Sequence, residues 1–338
     1  MTNLTRRQSL ALMGAAAAAP MMPAPAFANT KLKVGALRFT SHAASFVALE
    51  RGYFAEEGLD AEFEFFQAAQ PMAVAIASGD VDYAVTAISG GLVSLAEKGA
   101  AKVIGGALSE EPGIDGQLIL ASNAAFEAGL IDPSKLDGKS FGMTQPGSSF
   151  HYMGSKIAAA EGASMKFKPL NKVGAIIGAL KSGQIDAWSI VPHIAKALAG
   201  GGAVQIIGKV SDYIPNYQVT TVFTSAANAA NERAKTEAFL RAFSKGADDF
   251  NAALVDKTAG DDAAMEMVNL VHKYVYADKP IEKAEKSIRN GAMRINAGAA
   301  LNGASVKDQL DWFKSEGMVK DGVTYETLVD DSYVKTMM

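Results

Sequence analysis

Five short segments of this chain gather the polar, cationic and aromatic side chains from which a binding site could be built. They are Arg38-Phe39-Thr40-Ser41-His42, Gln67-Ala68-Ala69-Gln70, Thr86-Ala87-Ile88-Ser89, Gln145-Pro146-Gly147-Ser148-Ser149-Phe150-His151, and Trp188 to His193, which contains Pro192. The fourth is the richest. Gly147 permits close backbone approach, and Ser148 and Ser149 stand at the start of a helix whose first N–H groups lack intrahelical partners, a setting that suits an anion. A simple serine cap accounts for the same residues. Arg38 is the only arginine between Arg7 and Arg51; its guanidinium can fork onto a carboxylate or sulfonate, or sit in a surface ion pair. Phe150 and Trp188 can stack on a planar ligand or pack internally. His42, His151 and His193 offer hydrogen-bond donors, an acid/base or metal ligands. No carboxylate or thiol lies at ligand spacing beside them, which favours donors to an anion. Catalysis has little support, since no Gly-x-Ser-x-Gly elbow, P-loop, His-Glu-x-x-His or paired-carboxylate motif is present.

An alternation of strands and helices must position these segments. Leu32, Val34 and Ala36 alternate with Lys31, Lys33 and Gly35, which predicts a first strand. Thr40-Ser41 can cap a helix carrying Phe46, Val47 and Leu49. Leu59, Ala61, Phe63 and Phe65 alternate as a second strand, Pro71 opens the helix that ends at Gly79, and Val81 to Thr86 form a third strand. A helix from Gly90 to Lys98 and a strand from Lys102 to Leu108 complete a β-α-β-α-β-α-β unit, predicting a parallel open sheet. Gly116 to Ser122 reads as a crossing. Beyond it the pattern restarts, with strands at 140–144, 166–170, 185–190 and 204–207, and the chain returns through Tyr217 to Thr224.

Two stretches echo each other across this restart: Ala77-Ser78-Gly79-Asp80-Val81-Asp82 and Lys181-Ser182-Gly183-Gln184-Ile185-Asp186. Each reads as a helix end, a turn at glycine, and an Asp leading into a buried strand. The fold class is therefore α/β, with two Rossmann-like lobes, a two-strand hinge and a ligand cleft between them. Lobe 1 is expected to hold residues 29–118 and 222–338, and lobe 2 residues 119–221. Helical spacing of Phe239, Leu240, Phe243, Ala247 and Phe250, and of Met267, Leu270, Val271 and Tyr274, places the C-terminal helices over lobe 1. In open α/β sheets ligands bind beyond the carboxyl ends of strands, and that polarity rule is what selects the five segments above.

The first 28 residues read as a cleaved leader. Thr5-Arg6-Arg7-Gln8-Ser9-Leu10 resembles the twin-arginine export motif, an Ala-rich apolar stretch follows, and Ala26-Phe27-Ala28 is a small-x-small cleavage site. The 338-residue chain is long for one core and comfortable for two lobes. Its net charge of −4 and the absence of a basic run argue against nucleic-acid binding. No later stretch reaches the roughly 20 apolar residues that span a bilayer. The chain has no cysteine, which fits an oxidising compartment and leaves no site for a lipoprotein anchor.

Gly52-Tyr53-Phe54…Glu57-Gly58-Leu59, Ala77-Ser78-Gly79-Asp80-Val81-Asp82 and Leu136-Asp137-Gly138-Lys139-Ser140…Pro146-Gly147-Ser148 resemble the NMT1/THI5-like solute-binding proteins of ABC importers for nitrate, sulfonates, taurine and thiamine precursors. The resemblance runs from about Lys31 to the C-terminal helices. It implies a type II periplasmic-binding-protein fold that closes on a small molecule and docks on a permease with a cytoplasmic ATPase. It also implies a pocket lined by the loop after the first strand, the Gln67–Gln70 loop, the loop after Asp82 and the Gly147-Ser148 helix start. One branch makes a thiamine pyrimidine with a cysteine-rich motif, which a chain without cysteine lacks. The expectation is a periplasmic, monomeric, non-catalytic receptor without cofactor or metal. Its ligand is a small carboxylate or sulfonate, aliphatic or aromatic. The alternatives are a receptor for a thiamine-precursor pyrimidine or other heterocycle, a receptor for a metal held by the three histidines, and a periplasmic enzyme using His42 or His151.

Overall fold

The computed structural model describes residues 30–337; the expected leader lies outside them. Ten strands form two five-stranded sheets. The first sheet has the order β2-β1-β3-β10-β4, with β1 Thr30–Ala36, β2 Leu59–Phe65, β3 Tyr83–Thr86, β4 Ala101–Gly106 and β10 Thr221–Ser225. The second has the order β7-β6-β8-β5-β9, with β5 Leu118–Ser122, β6 Ser140–Met143, β7 Lys166–Pro169, β8 Ala187–Ile190 and β9 Val204–Lys209. The two topologies are the same. Central β3, β5 and β8 are buried along their whole length, while edge strand β7 is largely exposed.

The sheets are mixed, not wholly parallel. β10 runs antiparallel to β3 and β4, and β5 runs antiparallel to β8 and β9. The reason is the crossing itself. A chain leaving one lobe at the carboxyl ends of its strands enters the next at the same end, so its first strand must run the other way.

The sequence echo is structurally real. Gly79 and Gly183 end their helices with φ of 82° and 72°, the left-handed region open to glycine. Asp80 N–H donates to Ala75 O, and Gln184 N–H to Ala179 O. The Asp82 carboxylate accepts from Lys33 N–H of β1 at 2.9 Å, and the Asp186 carboxylate from Ser140 N–H of β6 at 2.7 Å. Each aspartate thus ties neighbouring parallel strands together, β3 to β1 in lobe 1 and β8 to β6 in lobe 2.

Two antiparallel crossing segments, 107–117 and 210–220, form the hinge. Ala107 N–H donates to Thr220 O and Glu110 N–H to Tyr217 O. A third segment joins them: Ser109 N–H donates to Arg294 O, and Asn296 N–H to Ala107 O. The helices Arg233–Phe250 and Asp261–His272 pack on the Ala43–Glu50 helix of lobe 1. The later helices depart from the expectation that the C-terminal region covers lobe 1. Ile281–Asn290 packs on Pro192–Gly200 of lobe 2. Gly303–Ser315 lies against Ser149–Glu161, where Lys156 pairs with Asp308 at 2.9 Å and Trp312 meets His151 edge to face. The apolar face of each helix finds the nearest uncovered helix, and two of these belong to lobe 2.

Candidate functional site

A small cavity lies between the lobes, about 50 Å³ in volume. Its lining repeats the pseudo-symmetry of the fold. From lobe 1 come residues beyond the carboxyl ends of β1 (Leu37, Phe39, Ser41, His42), β2 (Ala68, Ala69) and β3 (Thr86, Ala87). From lobe 2 come those beyond β6 (Thr144, Ser148, Ser149, Phe150), β7 (Val173) and β8 (Ile190, Val191). The hinge supplies Gln117, Val219 and Thr220.

Among the described residues, no charged side chain lines this cavity. Four helix N-termini meet it instead. Helix Ala43–Glu50 starts after His42 and helix Ala69–Ser78 after Ala68, both without a side-chain cap. Helix Ser149–Glu161 starts after Ser148, and helix Val173–Lys181 begins at a cavity-lining residue. These helix starts bring the positive ends of their macrodipoles to the cavity, and so favour negative charge without a counter-ion; within their first turns Ala43 N–H already donates to Thr40 O, His151 N–H to Ser148 Oγ and Ala175 N–H to Lys172 O.

Two buried side-chain donors add to them. Leu37 N–H donates to His42 Nδ1 at 3.4 Å, which leaves the imidazole proton on Nε2, and that atom has no partner. Burial drives the His42 pKa down to about 3, so the ring is neutral. The Gln117 Nε2 is likewise buried without a partner. The remaining walls are apolar: Leu37, Phe39, Phe150, Val173, Ile190 and Val219. This arrangement can hold a small anion with an apolar body.

The lobes are clasped. Gly90 N–H of lobe 1 donates to Gly147 O of lobe 2 at 2.9 Å, and Gln145 donates to Gln70 across the same gap. Gly147 has φ +75°, and a Cβ there would come within 3.2 Å of Met318 Sδ and 3.4 Å of Gly90 Cα. A larger groove of about 640 Å³ opens on the hinge face. Its lysine, Lys156, is already paired with Asp308, and it lies away from the strand ends.

Of the residues expected in the site, the structure brings Ser41, His42, Thr86, Ala87, Ser148, Ser149 and Phe150 onto the cavity. The others lie elsewhere in the structure. Arg38 is exposed; its guanidinium lies 3.8 Å over the Phe65 ring and donates to Tyr274 O, facing away from the cleft. Gln67 is likewise exposed and does not line the cavity. Trp188 is fully buried behind Phe150, ring centroids 5.2 Å apart. Thr40 donates to Gly291 O, Ser89 caps the Gly90–Glu97 helix, and Pro192 occupies the first turn of its helix. Gln70 and Gly147 make the clasp.

The three histidines do not converge. His151 Nδ1 accepts from Gly147 N–H at 3.2 Å, and the ring is held between Phe167 and Trp312; burial lowers its pKa. His193 is 3.0 Å from Tyr276 Oη, with its pKa depressed to about 3, mainly by burial. Among the described residues, no group of three His, Cys, Asp or Glu could hold a metal ion. Replacing Arg38 by alanine is accordingly expected to change ligand affinity by less than about 0.5 kcal/mol, the scale of an exposed substitution. Titration calorimetry of the variant checks this.

Gln117, Val219 and Thr220 were not anticipated, because the crossings read only as connectors. The repeat could have exposed them. Gln117 precedes β5 and Thr220 precedes β10, so the two occupy equivalent places in the two lobes.

Fold and site together define a two-lobed binding protein. Residues 39–253 match the family model described as NMT1/THI5 like. The chain belongs to that family. Several solved structures share the fold. The alkanesulfonate-binding protein SsuA from Xanthomonas axonopodis pv. citri, bound to MOPS, superposes with a TM-score of 0.71 at 16% identity, over 90% of this chain and 99% of that one. The periplasmic nitrate-binding protein NrtA from Synechocystis PCC 6803 gives 0.68 at 14% identity, over 88% and 84%. A zinc-bound ligand-binding component of an ABC-type import system from Staphylococcus aureus gives 0.69 at 13%, over 90% and 97%. No curated protein matches the chain in sequence.

Proposed function

We propose that this chain is the substrate-binding component of an ABC importer, that it captures a small organic anion between its lobes, and that it delivers the anion to a membrane permease. The observation that carries the ligand class is the meeting of four helix N-termini on an interlobe cavity with no charged side chain. A cation would be repelled there, and a neutral solute would leave the converging N–H groups poorly used. The apolar walls suit a short hydrocarbon body, so carboxylates and sulfonates fit better than a bare inorganic ion. Family membership and the named neighbours support a receptor that is not an enzyme. They also support a periplasmic setting, to which the twin-arginine leader would deliver the folded protein. Among the described residues no helix is long and apolar enough to cross a membrane.

Thermal denaturation with added solutes tests the reading. Ligand at 100 times Kd adds about 2.7 kcal/mol of stability by mass action. Ethanesulfonate, propionate or benzoate is expected to raise Tm, and propionamide, the neutral counterpart of propionate, is not. A rise with a pyrimidine, a flavin or zinc, and with no anion, would overturn the proposal.

A further inference from the structure

Glu110 lies in the first crossing segment, only 3% exposed, beneath the turn that leads to Gln117. Its Oε1 accepts from Gln117 N–H at 2.9 Å. Its Oε2 is buried with no hydrogen-bond partner, wedged against Gly116, where a Cβ would lie 1.6 Å from that oxygen. The Gln117 side chain is the other orphan of the pair: it lines the ligand cavity, and its Nε2 is buried without a partner. A buried acceptor and a buried donor on two residues already joined by a backbone bond each carry the cost of an unmade hydrogen bond. The Gln117 side chain also acts on the Glu110 carboxyl as a hydrogen-bonding neighbour, holding its pKa down, which puts the amide within reach of that carboxyl.

We infer that Glu110 is a positioning residue for ligand capture: its carboxylate competes with a bound anion for the Gln117 amide, so that protonation of Glu110 frees that amide for the cavity. The inference rests on the anionic ligand proposed above. With Glu110 ionised, Gln117 Nε2 is drawn to Oε2 and a negative charge stands behind the cavity wall. With Glu110 neutral, both obstacles to an anion are removed.

The surroundings place this exchange near neutrality. Burial pushes the Glu110 pKa up to about 7, and the Gln117 backbone and side chain pull against that rise. Lys156 shares one groove with Glu110, and Asp115, Lys209 and Asp212 share another, but among the described residues none forms an ion pair with it. Tyr217, from the second crossing, is fully buried with an unpartnered hydroxyl and a raised pKa. Glu111 is engaged by Arg294, which also pairs with Asp256, and Asp308 is engaged by Lys156.

The test has two arms on the full mature chain. In the unliganded protein, the Gln117 side-chain amide resonances, assigned by ¹⁵N NMR, are expected to shift with pH about a midpoint near 7, and not to shift in Glu110→Gln. In calorimetry with ethanesulfonate, whose charge is constant from pH 5.5 to 8.5, the wild type is expected to lose roughly tenfold in affinity as pH rises over that range, within the span of ordinary coupling energies. Glu110→Gln is expected to keep the low-pH affinity throughout. Amide signals that do not titrate in the wild type, or that titrate equally in Glu110→Gln, overturn the inference. Titrating signals in a protein that binds no anion uphold the Glu110–Gln117 exchange and count against the proposed ligand class alone.

Discussion

Replacing Glu110 by glutamine is expected to leave the unliganded protein about as stable as wild type near pH 4 and about 3 kcal/mol more stable at pH 8. The carboxyl has an ordinary pKa of 4.5 and is raised in the fold to about 7. A raised carboxyl binds its proton more tightly in the native state than in the unfolded one. The stability this brings is complete below about pH 4.5, declines as pH rises, and is gone above about 7, where the carboxylate stands ionised in its buried site. Glutamine keeps the Oε1 acceptor for Gln117 N–H, fits beside Gly116 with nearly the same volume, and does not titrate. Denaturant midpoints of the two proteins measured at half-unit pH intervals give the difference directly, because every other ionising group cancels. Parallel curves from pH 4.5 to 8 would refute the prediction.

The second large effect lies in lobe 1. Gly246 of the Arg233–Phe250 helix sits where that helix crosses Ala43–Glu50, and a Cβ there would come within 2.1 Å of Ala44 O and 2.9 Å of Ala48 N. Both are backbone atoms and cannot rotate away. Gly246→Val is expected to cost about 3 kcal/mol or more, at or beyond the upper end of overpacking penalties. Because the displaced helix starts just after His42, a cavity-lining residue, anion binding should fall with stability. Gly178→Ala is the control, since nothing lies within 4 Å of its Cβ position; alanine there should be neutral or stabilising by about 0.5–1 kcal/mol. Urea denaturation of the three proteins, with an ethanesulfonate thermal shift on each, reads both effects. A fully stable Gly246→Val would show that the two helices can separate without loss.

Much of this molecule is local in origin and was therefore readable. Alternation at Leu32, Val34 and Ala36 marks β1, because one face of a strand must be buried and side chains alternate across it. Gly79 and Gly183 end their helices wherever the chain goes next, because the left-handed turn depends on one residue's backbone. Two such units fix two similar lobes, and strand polarity then selects the loops that hold Ser41, His42, Thr86, Ser148 and Phe150. The family follows from the same local motifs.

Which atom of each loop faces the ligand is a different kind of fact. Arg38 turns outward because the Phe65 ring, a neighbour only through pairing of β1 with β2, offers its guanidinium a face. Trp188 is hidden because β8 lies at the centre of its sheet, with β5 and β6 on either side. The mixed sheets, the third hinge segment from Arg294 to Asn296, and the C-terminal helices on lobe 2 all depend on contacts between residues far apart in sequence. So does the pairing of orphans at Glu110 and Gln117, which a linear reading shows only as two polar residues in a connector. Periodicity and turn chemistry are written within a few neighbours and survive in the sequence alone. Burial, partner choice and the direction of a side chain are set by whatever the fold brings alongside, and only the tertiary structure decides them.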